Sequence, residues 1–195
     1  MERVVLFGPP GVGKGTQGSR LAAALGVPAI STGDLFRAHV TNGTDLGKRI
    51  SALIASGDYV PDSITNAMLA ERLAEPDAAE GFLLDGYPRT ADQVAELDRL
   101  LALQGASLDC VVLLGAPEDV LEQRLLGRAV QQGRSDDTPE VIRHRLNVYH
   151  QETEPLVSLY DAADLVLRVD GTGTPDEVHE RLLTALGLRE PTPLS

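Results

Sequence analysis

Cysteine is all but missing from this chain of 195 residues: Cys110 is the only one. An internal disulfide and a cysteine-rich metal centre are therefore excluded. Lysine is nearly as scarce, because 15 of the 17 basic residues are Arg and only Lys14 and Lys48 are Lys. Net positive charge is lacking too. The formal charge of -12 disfavours a nucleic acid or an anionic membrane as partner. No apolar run has the length of a membrane span. The opening "ERVVLFG" has neither the charged n-region nor the apolar h-region of a secretory signal. The expectation is a cytoplasmic protein with no membrane and no nucleic-acid partner.

What remains suits one folded domain, since 43% of the residues are hydrophobic. "RVVLF" (3–7) is a short apolar run that ends at a Gly-Pro-Pro-Gly turn, as a buried strand feeding a loop does. Helical spacing follows from Lys14 to Leu25, with Gly26 as its stop. "PAIST" predicts a second strand, and 33–56 predicts two short helices broken at "TNGT". "GFLLDG" (81–86) reads as a strand, Ala91 to Leu103 as a helix and "CVVLLG" (110–115) as the clearest buried strand. A helix is expected from Pro117 to about Gly127, and a long one from "DTPE", capped by Thr138 with Pro139 at its first position. "LVLRVDG" supplies a last strand and "TPDEVHERLLTAL" a last helix capped by Thr174. Apolar strands alternating with helices imply an α/β fold: a doubly wound, parallel, five-stranded sheet with helices on both faces.

The stretch "GPPGVGKGTQ" (8–17) nearly fits the phosphate-loop pattern, which asks for Gly, four residues, Gly-Lys and then Ser or Thr. Gly8, Gly13 and Lys14 fit, but Gly15 stands where the hydroxyl belongs, and Thr16 comes one place late. The strand–turn–helix context favours phosphate binding over a tight turn carrying a surface lysine. Backbone N–H groups there form an anion-binding concavity at the positive end of a helix. Gly15 has no ligand for a metal. Asp85, at the carboxyl end of "FLLD", is placed to help hold magnesium, or else is a turn-forming Asp before Gly86.

On these residues the chain resembles the nucleoside monophosphate kinases, in which glycine follows the loop lysine. "STGDLFR" (31–37), "GDYVPD" (57–62), "DGYPRT" (85–90) with Gln93, "RLLGR" (124–128) and "GRSDDTPEVIRHR" (133–145) resemble the adenylate kinase branch, in its order. The resemblance implies a P-loop kinase with bound Mg2+ that converts ATP and AMP to two ADP, serves nucleotide biosynthesis and acts as a monomer. It implies that Gly11, Val12, Gly13, Lys14, Gly15, Thr16, Arg128 and Gly173 contact ATP. It likewise assigns AMP to Thr32, Arg37, Asp58, Tyr59, Val60, Gly86, Tyr87, Pro88, Arg89, Gln93, Arg134 and Arg145. By the same resemblance Lys14, Arg89, Arg124, Arg134 and Arg145 are expected to be the catalytic charges, with Arg124 and Arg134 resembling clamps on the donor phosphates. One domain of 1–195 would carry a mobile acceptor segment at 31–60 and a lid at 127–137. "AVQQG" leaves no room for the β-ribbon of longer lids, so no structural zinc is expected.

The charge pattern agrees with that chemistry. The acceptor oxygen is already anionic, so no catalytic base of the protein-kinase type is needed, and none is found. Two polyphosphates must instead be brought together, which calls for fixed cations, and a guanidinium fork suits a phosphate better than an ammonium. Asp136 and Asp137 either orient neighbouring arginines or are helix-start acids. Arg143 reads as a surface residue and Cys110 as a core one. Two alternatives compete. A pyrimidine monophosphate kinase would, as the resemblance goes, carry Ala and Asn in place of Thr32 and Gln93. A non-catalytic nucleotide-binding regulator would leave the acceptor-site arginines without purpose, and an Asn-Lys-x-Asp guanine motif is missing.

Overall fold

The computed structural model describes residues 2–132 and 137–188. Its strands are β1 (Arg3–Phe7), β2 (Ala29–Ser31), β3 (Phe82–Asp85), β4 (Cys110–Gly115) and β5 (Val166–Asp170). Its helices are α1 (Lys14–Leu25), α2 (Thr32–Thr41), α3 (Asp45–Ser56), α4 (Asp62–Leu73), α5 (Ala91–Leu103), α6 (Glu118–Gln132), α7 (Pro139–Val148), α8 (Val157–Asp161) and α9 (Pro175–Ala185). The sheet order is β2-β3-β1-β4-β5, with every pairing parallel. The expected five-stranded α/β architecture is present.

The period of two along each strand divides the core between the faces. Val4 and Leu6 of β1 join Leu21 of α1 and Val178 and Leu182 of α9 on one side. Val5 and Phe7 join Leu69 of α4, Leu97 and Leu101 of α5 and Tyr160 of α8 on the other. Both faces of the sheet are thus covered, which is why β1, β3 and β4 are apolar along most of their length. A third, smaller cluster of Phe36, Ile50 and Val60, with Leu46 and Ile54 against it, gives the segment between β2 and β3 a core of its own.

Caps fall where the sequence places them. Thr138 accepts from Val141 N at the start of α7, and Thr174 and Glu177 form a reciprocal capping box on α9. Helix α4 is the element that sequence reading missed. Its buried residues are Thr65, Leu69 and Leu73, a single narrow stripe containing a polar residue. Helix α6 runs past Gly127 to Gln132, correcting the expected end. A lone helical glycine costs only about 1 kcal/mol and does not terminate a helix. The long helix from Thr138 is also corrected: after Val148 come a π-helical turn (Tyr149–Thr153), a 3-10 turn (Glu154–Leu156) and α8. Pro155 has no N–H to continue the α ladder there.

Candidate active site

The carboxyl ends of β1, β2 and β3 and the loops that follow them open onto one cleft of about 1010 Å³. Every site residue expected from the sequence lines it, except Arg134, which lies outside the described residues. One wall is the loop between β1 and α1, and the opposite wall comes from α2, the end of α3 and the β3–α5 loop.

Within the loop, Gly8 has a φ of 143°, and a Cβ there would lie 2.5 Å from Leu114 O, so only glycine fits. Gly13, with a φ of 106°, is the N-cap of α1 and has no side chain to occupy the helix terminus. A Cβ on Gly15, by contrast, would meet no described protein atom within 4 Å. The Lys14 ammonium folds back over the loop and donates to Gly8 O at 2.7 Å and Pro9 O at 3.0 Å. Burial lowers its pKa to about 8; Arg89 and Arg128 push the same way and Asp85 opposes them. Asp85 is displaced in the opposite sense. Burial raises its pKa, while Lys14, Arg89 and Arg37 pull it down and Asp34 adds to the rise. Among the described residues no hydrogen bond reaches the Asp85 carboxylate.

The opposite wall is a hydrogen-bonded frame. Buried Thr32 donates through Oγ1 to Gly86 O at 2.9 Å, and Arg89 Nε donates to the same carbonyl at 2.7 Å. The Arg89 guanidinium lies 4.9 Å from the centre of the Tyr59 ring, a cation–π contact that fixes its plane. Gln93 is buried at 2% exposure, with Oε1 accepting from Arg89 N at 2.8 Å and Nε2 donating to Asp62 Oδ1 at 2.6 Å. Asp62 Oδ2 takes the Thr90 hydroxyl at 2.7 Å. Behind them, Tyr87 donates to Asn66 Oδ1 and Gln93 O, tying the β3–α5 loop to α4. Arg37 is paired with Asp34 at the rim.

Two further arginines cross from the first wall. Arg124 of α6 donates to Val12 O at 3.3 Å, Gly171 O at 2.8 Å and Gly173 O at 3.0 Å, bracing the phosphate loop against the loop after β5. Arg128, one turn on, forms a fork with Asp137 through Nε at 2.8 Å and Nη2 at 2.9 Å. Arg145 of α7 donates to Asp137 Oδ1 at 2.7 Å and to Ile54 O, in the last turn of α3, at 3.3 Å. The Asp137 carboxylate is fully buried. Of the two readings left open for this residue, the structure selects the orientation of arginines.

Some residues in or behind the cleft were given no role of their own from the sequence. Asp62 fixes Gln93 yet begins the helix that periodicity missed. Thr153, buried in the π-helical turn, donates to Arg89 O at 3.0 Å and so accepts from Tyr59 OH at 2.8 Å. Its inward aim depends on a local helical irregularity that a 3.6-residue period does not predict. Gln17, at 2% exposure, links α1 to Pro175 O at 2.8 Å. Arg143, as expected, is a surface residue, 67% exposed, and Cys110 is a core one.

Comparison with known proteins supplies the last observation. The family model described as adenylate kinase matches residues 6–165. A protein of Kocuria rhizophila called adenylate kinase is 54% identical over 186 residues, which cover 95% of this chain and 99% of that protein. Adenylate kinases of Leifsonia xyli and Clavibacter michiganensis are each 51% identical, covering 98% and 100% of this chain and 96% and 98% of theirs.

Proposed function

The chain belongs to the adenylate kinase family, and we infer that it is a phosphotransferase that moves the γ-phosphoryl group of ATP onto AMP, reversibly, giving two ADP. The observation that carries this reading is the pairing, in a single cleft, of a phosphate loop with a separate wall rich in arginine. A hydrolase or a regulator needs the first wall and has no use for the second.

The roles follow from what each group can offer. Backbone N–H groups of 11–16 and the start of α1 receive the donor phosphates, and Lys14 leaves Gly8 O and Pro9 O to meet the β- and γ-oxygens. Arg128 is assigned to the donor and Gly173 to the donor base. Arg134 is assigned to the transferring and acceptor phosphates. On the acceptor side, Arg37, Arg89 and Arg145 hold the AMP phosphate in line with the donor. Thr32, Gln93 and the backbone of 58–60 recognise its nucleoside, along a wall completed by Gly86, Tyr87 and Pro88. Arg124, braced on three carbonyls, acts by fixing both donor-side loops. No base is required, because the attacking oxygen is anionic; catalysis is alignment and charge compensation.

Magnesium fits the donor set. Gly15 offers no ligand, whereas the Asp85 carboxylate and the Thr16 hydroxyl supply the hard oxygen chemistry that a mostly hydrated Mg2+ accepts. When bound with ATP, the ion neutralises charge on the β- and γ-phosphates. We further propose that 31–60 and 127–137, of which 133–136 lie outside the described residues, close over acceptor and donor to keep water from the γ-phosphate. The protein is proposed to act as a monomer in the cytoplasm, with ATP, AMP and ADP as its partners.

The test is turnover with ATP and Mg2+ across AMP, UMP, CMP and GMP. Thr32 and Gln93 lead to an expected preference for AMP, and a preference for UMP overturns the acceptor assignment.

A further inference from the structure

Asp137 stands one residue before the Thr138 cap, yet among the described residues its carboxylate caps no backbone N–H: its partners there are guanidinium groups. One oxygen takes Arg128 Nε, and the other takes both Arg128 Nη2 and Arg145 Nη1. A carboxylate with no exposure sits between two cations that come from different helices, α6 and α7. Such buried ion pairs add little net stability compared with apolar packing of the same volume, because desolvation offsets the attraction. What the arrangement does supply is direction. The two-point fork fixes the plane of Arg128 and leaves Nη1 as the part that can donate elsewhere. Arg145, held by the same carboxylate, is fixed at Nη1 and reaches Ile54 O with Nη2.

We propose that Asp137 is a positioning residue that couples the donor and acceptor nucleotide sites. The inference rests on the reading of the cleft given above, in which Arg128 faces the donor and Arg145 the acceptor. A continuous chain of contacts then runs from Arg128 through Asp137 and Arg145 to the end of α3. A donor nucleotide that draws Arg128 into place also sets Arg145, through a carboxylate too buried to exchange its partners for water. Binding at one site thereby lowers the ordering cost at the other, and the effect must be reciprocal. Asp137 touches neither nucleotide and acts through the two arginines.

The experiment measures the dissociation constant of AMP by calorimetry, with and without saturating β,γ-imido ATP, and then the reverse titration. Wild-type protein is expected to bind each nucleotide more tightly in the presence of the other, by a factor within the usual range of about 5–150-fold. In Asp137→Asn the factor falls to about 1, and each nucleotide alone also binds more weakly, because its arginine loses the carboxylate that orients it, but by less than the coupling that is lost. Asp137→Glu, which keeps the charge one methylene further out, recovers part of the coupling. Asp137→Ser carries the same expectation should the Asn variant melt below the assay temperature. A purely structural role would lower the melting temperature and leave the coupling factor unchanged. Wild-type coupling in either the Asn or the Ser variant overturns the inference, as does a wild-type factor of 1. Wild-type protein that transfers phosphate to no nucleoside monophosphate overturns instead the reading on which the inference rests, and the inference falls with it.

Discussion

His144 Nε2 lies 2.6 Å from Asp58 Oδ1, so α7 grips the end of α3 and the turn after it by a side-chain contact as well as through Arg145 and Ile54 O. Ser56 donates to the other Asp58 oxygen at 2.6 Å. The Ser56 hydrogen bond, followed by that of His144, holds the Asp58 carboxyl below its usual range. A carboxyl depressed in the folded state stabilises above its unfolded pKa, near 3.9, and loses that contribution as pH falls through the lower folded value. Asp58→Asn should therefore be less stable than wild type at pH 5–6, by less than about 1 kcal/mol because both partners are half exposed. The gap should close below about pH 4 in thermal melts. A gap that persists undiminished at pH 3 would assign the effect to something other than the carboxylate charge.

Gly15→Ala separates stability from catalysis. The residue is exposed in the first turn of α1, and an added Cβ meets no described protein atom within 4 Å. Alanine is favoured over glycine in a helix by about 0.5–1 kcal/mol, so the melting temperature should rise. If glycine is kept for clearance around the phosphate chains, kcat for transfer to AMP should fall at the same time. Unchanged kcat in the stabilised variant would remove the steric explanation for the glycine that replaces Ser or Thr.

The contrast between that glycine and Asp62 shows what was legible in the sequence. The phosphate loop is local: strand, turn and helix follow one another within 3–25, and each has its own signal of apolar run, glycine spacing or helical period. Strands β1, β3 and β4 were readable for the same reason, as runs of mostly apolar, buried residues. Asp62, Thr153 and Asp137 matter through partners 31, 64 and 9 residues away, and no local pattern encodes those distances. The caps Thr138 and Thr174 were read correctly because capping is settled within four residues. Helix α4 was missed because its buried stripe is narrow, and α6 was cut short at Gly127 because a glycine weakens a helix without ending it.

Lys14 should reveal itself by pH as well as by activity. Its ammonium is held in the native state with a pKa of about 8, against an ordinary value of 10.5. Between those values the unfolded chain keeps a proton that the native chain has released, so the free energy of unfolding rises with pH over that window. Measured against Lys14→Met, which has no such proton, wild-type stability should gain from pH 8 to pH 10.5. The gain is no more than about 3 kcal/mol, and less to the extent that water in the cleft screens the group. The same variant should lose transfer to AMP by about 10²–10³-fold at pH 7, the usual cost of removing a group that meets developing charge. A pH-independent stability difference would contradict the burial of the ammonium.

Asp62 decides whether Gln93 can discriminate between bases. An amide reads a base edge only if its oxygen and nitrogen cannot exchange places, and the protein fixes both: Oε1 on Arg89 N and Nε2 on Asp62 Oδ1. Asp62 also accepts from Thr90 Oγ1, so both of its oxygens face donors. Asp62→Asn turns an NH2 toward one of those donors, which either releases Thr90 from the start of α5 or turns the Gln93 amide over. A site built to hydrogen-bond its substrate loses discrimination when that geometry is lost. The expected result is a roughly tenfold fall in kcat/KM for AMP, worth about 1.4 kcal/mol, with a smaller change for UMP and a stability loss of about 1–2 kcal/mol. The AMP-to-UMP ratio of kcat/KM is the decisive measurement, because a loss of stability alone would lower both values together. A ratio equal to that of wild type would show that Gln93 is oriented by Arg89 N without help from Asp62.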